Sequence, residues 1–116
     1  MVKDVTSVQQ LYLWIIKPLP NTSGICVEGK KSLEDESFWH SGEVTQRISS
    51  NMIATSSGSQ YQLIGEIEIL DAVDAGIPES LALTFQHGFP VNWKELIAEN
   101  LVSNMDVTSN SIVTQG

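Results

Sequence analysis

Few side chains in this sequence could do chemistry, and their spacing does not favour it. Histidine occurs at His40 and His87 only, and cysteine at Cys26 only. A protein zinc site gathers nitrogen and sulfur ligands, usually with short intervals between paired ligands. No two of these three residues are spaced that way. A nucleophilic mechanism needs a serine or cysteine within reach of a base, and no serine here stands in a G-x-S-x-G turn. His87 beside Gly88 could act as a base, yet the sequence sets no nucleophile beside it. Glu66 and Glu68 are paired carboxylates on one side of an alternating stretch. In a chain of net charge −8, a solvated face is their simpler role. No glycine-rich loop lies between a strand and a helix, so a phosphate has no cradle. The expectation is a chain that is not an enzyme and holds no metal or cofactor.

The remaining candidates are residues that bind another protein. Trp39-His40 lies beside the acidic loop Glu34-Asp35-Glu36. An exposed tryptophan next to polar groups is a common interface anchor. Lys30, Lys31 and Arg47 would supply a polar rim around it. Phe85, Phe89 and Trp93 recur every four residues across a bend. Phe85 and Trp93 are assigned to packing, whereas Phe89 is kept as a binding candidate.

Those residues need elements to place them. Leu11–Ile16 is an apolar run, rich in β-branched and aromatic side chains and stopped by Pro18, so a strand covered on both faces is expected. Ile25–Glu28 reads as a second strand, and Phe38–His40 as a short one. Strands at 43–48, 52–55 and 61–70, joined by short turns, predict a β-meander. Leu81, Leu83 and Phe85 alternate and read as the last strand. Residues 71–78 could form a helical turn ended by Gly76. The one convincing helix runs from Trp93 to about Val102. Asn92 and Glu95 suggest its capping box, and Val91 and Leu96 its hydrophobic staple. Gly88 and Pro90 form the hinge before it. The pattern predicts a mainly β fold, an antiparallel sandwich or small barrel of about six strands with one C-terminal helix.

Length and composition set the frame. At 116 residues with 41% hydrophobic content, one domain is expected at 11–102, flanked by disordered segments at 1–10 and 103–116. One cysteine leaves no internal disulfide and suggests a reducing compartment. No apolar run approaches the roughly 20 residues of a membrane helix, and the N-terminus lacks a signal-peptide pattern. Residues 61–116 carry Lys94 against eight acids. Such a half repels a phosphate backbone and argues against direct DNA binding. A protein partner, or self-association through a strand edge, fits better. The alternative is a small β-barrel that binds chromatin or nucleic acid.

Several spaced motifs carry a resemblance. They are Trp14-Ile15-Ile16-Lys17, Gly24-Ile25-Cys26-Val27-Glu28-Gly29, Trp39-His40-Ser41 with Arg47-Ile48, residues 57–65, and the stretch from Phe85 to Trp93. Over residues 10–102 the chain resembles a SANTA (SANT-associated) domain, of the type in the Mis-eighteen-binding and kinetochore-null centromere proteins. The resemblance implies a nuclear protein-interaction module that promotes deposition of the centromere-specific histone, CENP-A. It implies Mis-eighteen complex components and other centromere proteins as partners. The Myb-like SANT domain and the centromere-targeting motif found elsewhere in such proteins are not in this sequence.

Overall fold

A computed structural model describes residues 8–20 and 22–102. The segments expected to be disordered at 1–7 and 103–116 lie outside the described residues. Val8–Gln10, assigned from sequence to the N-terminal segment, instead open the first strand.

That strand, β1 (Val8–Pro18), organises the sheet. Leu11, Trp14 and Ile16 of its apolar run are fully buried. Halfway along, β1 changes partner. Val8–Tyr12 pairs in parallel with β6 (Gln60–Ile64), and Tyr12–Pro18 pairs antiparallel with β2 (Ile25–Lys30). The register shifts between Tyr12 and Ile15, where Leu13 adopts φ 53°. Such an irregularity bends a strand and re-aims its side chains. Gly29 allows the close approach at this point, because a Cβ there would lie 2.9 Å from the Tyr12 carbonyl oxygen and 3.3 Å from Trp14 Cα.

The short β3 (Trp39–His40) adds to β2. β4 (Val44–Ser49) and β5 (Met52–Thr55) join β6 in the expected meander. The strand order is β3-β2-β1-β6-β5-β4. The fold is thus mainly β with six strands, but the sheet is mixed and not wholly antiparallel, because β6 returns alongside β1 in the same direction. There is one sheet, not two facing ones, and it curls like a barrel wall. The curl is tight enough that Trp39 Nε1 on β3 donates 2.9 Å to the Tyr61 hydroxyl on β6.

The expected strand at 81–85 is helix α2 (Glu79–Thr84). Leu81, Ala82 and Phe85 are buried while Leu83 is exposed. That is a helical face, which five alternating residues could not reveal. Likewise the alternating run from Tyr61 stops at Ile64. Gly65 turns the chain with φ 79°, and Ile69–Asp74 forms α1. Three short helices therefore stand among the described residues: α1 overlaps the helical turn expected at 71–78, α2 replaces the strand expected at 81–85, and the third starts where the one convincing helix was expected. The last, α3 (Trp93–Ile97), continues as a π-helical turn at Ala98–Val102.

Trp93 and Ile97 of α3 are buried, with Leu96 and Leu101 packed beside them, as the helical face predicted. The cap is different. Asn92 makes no side-chain cap bond, and Val91 is 83% exposed, so neither capping box nor staple forms. Aromatic packing holds α3 instead. Phe89 sits among three rings, with centroids 6.5 Å from Trp14, 5.0 Å from Phe85 and 5.4 Å from Trp93. Its N–H donates 2.7 Å to the Ser50 carbonyl in the β4–β5 turn. Gly88, at φ 125°, presses against the backbone of Ser50, where any Cβ would collide.

Phe89→Ala is expected to cost about 3–5 kcal/mol, as for large aromatic truncations in a core. Gly88→Ala is also expected to be strongly destabilising. Val91→Ala, at an exposed site, should stay within about 0.5 kcal/mol. Urea denaturation of the three variants checks this ordering.

Candidate protein-interaction surface

The sequence-predicted binding residues separate into two groups. Trp39, His40, Lys30 and Lys31 come together at the β2–β3 edge. Trp39 is 44% exposed and its neighbour Phe38 46% exposed. Lys31 Nζ lies 3.6 Å from the centroid of the Trp39 ring, and Lys30 Nζ 5.4 Å from that of Phe38. An ammonium over an aromatic face is attracted by the ring quadrupole. Each ring is thus half-exposed and has a lysine over it.

Strand alternation divides the two aromatic side chains. Trp39 pairs with Gly29 and turns into the curl, where its indole N–H satisfies the buried Tyr61 hydroxyl. His40 pairs with Glu28 on the outer face. There His40 Nδ1 lies 3.1 Å from Glu28 Oε1, and Lys17 Nζ lies 3.4 Å from the same oxygen. The half-buried Glu28 therefore serves two partners.

Arg47 and Phe89 do not belong to this group. Phe89 is 1% exposed at the centre of the aromatic cluster, so it cannot meet a partner without unfolding. Arg47, on β4, donates from Nε to the Phe89 carbonyl at 2.8 Å. It ties the hinge to the sheet through that bond.

Sequence reasoning set Lys17 near Lys30 and Lys31 but gave it no site role, and it missed Glu28, which the register of β1–β2–β3 brings to His40 with Lys17. It also left Phe38 without a role. The alternation of Glu28 and Lys30 on β2 was the available signal. Two hollows lie on this outer face and share Lys17. One of about 240 Å³ is lined by Pro18, Pro20, Cys26 and His40 among others. The other, of about 350 Å³, lies against α1.

The residues that could do chemistry are placed apart. His87 Nδ1 lies 3.3 Å from Glu66, whereas His40 pairs with Glu28. Among the described residues no three His, Cys, Asp or Glu side chains are grouped to hold a metal. Cys26 is buried. Its desolvation raises the thiol pKa, partly offset by nearby Lys17, which leaves it a protonated, weak nucleophile. No helix among the described residues is long and apolar enough to cross a membrane.

Residues 9–96 match the model of the SANTA (SANT Associated) family. The chain belongs to the SANTA family. The matched stretch begins in β1 and ends within α3, so it includes the curled sheet, its β2–β3 edge and the aromatic hinge. Membership points to a chromatin-associated interaction module. No solved structure matches this SANTA domain.

Trp39 has a structural contact as well as an exposed face, and a double-mutant cycle separates the two. Tyr61→Phe should cost about 1 kcal/mol. Trp39→Phe, which leaves a buried hydroxyl unpaired, should cost about 1–3 kcal/mol. The double variant should be less destabilised than the sum of the two. Additive losses in chemical denaturation would show that the Trp39–Tyr61 bond contributes nothing.

Proposed function

We propose that this SANTA domain is a non-catalytic docking module of a nuclear centromere protein. In this reading it helps direct deposition of the centromere-specific histone, CENP-A, by contacting Mis-eighteen complex components or other centromere proteins. The spaced motifs from Trp14 to Trp93 support the centromere part of the reading, since they follow the pattern of that branch of the family.

One observation carries the docking part. The β2–β3 edge sets two half-exposed aromatic rings beside Lys30 and Lys31 on a strand only two residues long. Exposed aromatic side chains are enriched at interface cores, and lysines beside them suit a polar rim. A very short edge strand also limits indiscriminate strand pairing, so recognition here falls to side chains. The cations suit a partner surface bearing carboxylates or phosphorylated side chains.

Lys17 and Lys30 also lie on the outer face with Lys31 just past the end of β2, which keeps nucleic acid as the alternative ligand. The acidic remainder of the chain opposes it.

The test is a pull-down from interphase and mitotic nuclear extract with the 116-residue chain. The paired substitution Lys30→Glu with Lys31→Glu should reduce recovery of Mis-eighteen components or centromere proteins about tenfold. Phe38→Ser should do the same without loss of stability. Recovery unchanged in both variants would remove this edge as the docking site. A mobility shift with duplex DNA that is strong at low salt and lost by moderate salt would favour the nucleic-acid alternative. Light scattering across protein concentrations decides self-association.

A further inference from the structure

We propose that the groove between the outer face of β1–β2 and helix α1 is a second docking site. Its occupant is a peptide segment that presents a bulky apolar side chain beside a lysine or arginine. This goes beyond the reading above and stands even if the β2–β3 edge binds nothing. Phe38, Lys17 and Glu28 border both surfaces.

The groove holds about 350 Å³ and its apolar lining is Leu13, Ile15 and Phe38. That volume is at the low end of the roughly 300–1,000 Å³ of ligand sites. The outer sheet face past the Leu13 bulge forms one wall and a helix the other, a shape that admits side chains of a passing segment. The polar lining is Lys17, Glu28, Asp71 and Asp74. Lys17 is already engaged by Glu28. The ion pairs among the described residues are Lys17–Glu28, His40–Glu28 and His87–Glu66, and none of them includes Asp71 or Asp74. Among the described residues, the two carboxylates of α1 therefore border an apolar floor without an ion-pair partner, and the cation of the lining, Lys17, is held by Glu28. A ligand cation placed over that floor would gain both contacts.

Leu13 supplies the independent observation. It stands at φ 53°, a left-handed conformation that leucine rarely adopts and that glycine or asparagine tolerates more readily. The same bulge leaves Leu13 half-exposed while Trp14 and Ile15 beside it are buried. The bulge serves the change of partner of β1, but it does not require a leucine, whose side chain is left wet and adds nothing to the core. Strain of this kind collects where a ligand is received.

The test uses the ¹⁵N-labelled 116-residue chain and two synthetic peptides. One is acetyl-Gly-Ser-Arg-Leu-Arg-Phe-Lys-Ser-Gly-amide, and the other replaces its three basic residues with glutamate. The basic peptide should shift the amide signals of Leu13, Ile15, Phe38, Asp71 and Asp74. Combined Asp71→Lys and Asp74→Lys should weaken it about tenfold, in line with the loss of two exposed charge contacts. Leu13→Asn should weaken it as much while the melting temperature holds or rises. Lys30→Glu with Lys31→Glu should leave it bound, which separates this site from the β2–β3 edge. The proposal is overturned by absent or displaced shifts at millimolar peptide, by equal binding of the acidic peptide, or by undiminished binding to the Leu13→Asn chain.

Discussion

The packing of one phenylalanine ring fixes most of this structure. Phe89 is wedged between Trp14 of β1, Phe85 at the end of α2 and Trp93 at the start of α3. Its backbone is held as firmly as its ring, with the N–H bound to Ser50 and the carbonyl bound by Arg47. Edge-to-face rings contribute beyond their buried area, and both backbone groups are satisfied where water does not reach. The consequence is geometric. Two helices and the β4–β5 turn are referred to a single point on β1. Helices as short as these would not persist alone in water, so their positions follow from this cluster more than from their own propensities.

A second constraint sets where the surface sites can be. β1 serves two partners, and the change of partner is made by Leu13 and permitted by Gly29. Past the bulge, β1 carries β2 and β3 as an arm that curls back toward the meander, with Gly24 before β2 lying against Glu43 before β4. The arm's outer face is free of the aromatic core, and its inner face is tied back by Trp39 and Tyr61. Exposed aromatics, lysines and the α1 groove all lie on that arm. The opposite edge, β4, is occupied by the hinge through Arg47 and Phe89. The fold therefore separates a side that holds the protein together from a side that is available to partners.

Much of the architecture was legible in the sequence where hydrophobic pattern and local structure agree. β1, β2, the meander and the buried face of α3 follow from runs and periods that tertiary packing then uses. The failures have physical causes. Residues 81–85 alternate as a strand would, yet burying Leu81, Ala82 and Phe85 together requires a helix, and so short a window cannot separate the two periods. Asn92, Glu95 and Val91 spell a capped helix start, but aromatic packing overrides that local preference. The parallel pairing of β1 with β6 was hidden because only the far register shows it. Of the candidate site, the Trp39–His40 and Lys30–Lys31 group was readable as exposed aromatic and basic residues. Phe89 and Arg47 were not, since a motif of large aromatics reads the same whether its rings face a partner or the core. Leu13 lies inside an apolar run and gave no sign that a bulge would turn it out.

The distribution of charge then bears on what such a surface can recognise. Lys17 and Lys30 lie on the outer face of the arm and Lys31 at its tip, while Asp71 and Asp74 border the groove on the same arm. A ligand that touches one of these charges responds mainly to that charge, because exposed charges farther than about 10 Å away are largely screened at moderate salt. A uniformly charged polymer would meet attraction at one end and repulsion at the other. A folded partner, or a segment with its own alternating charges, could satisfy both at once. The requirement for a matching sequence of charges provides specificity more than raw affinity. It is also why a small acidic domain with few reactive side chains can still discriminate between partners.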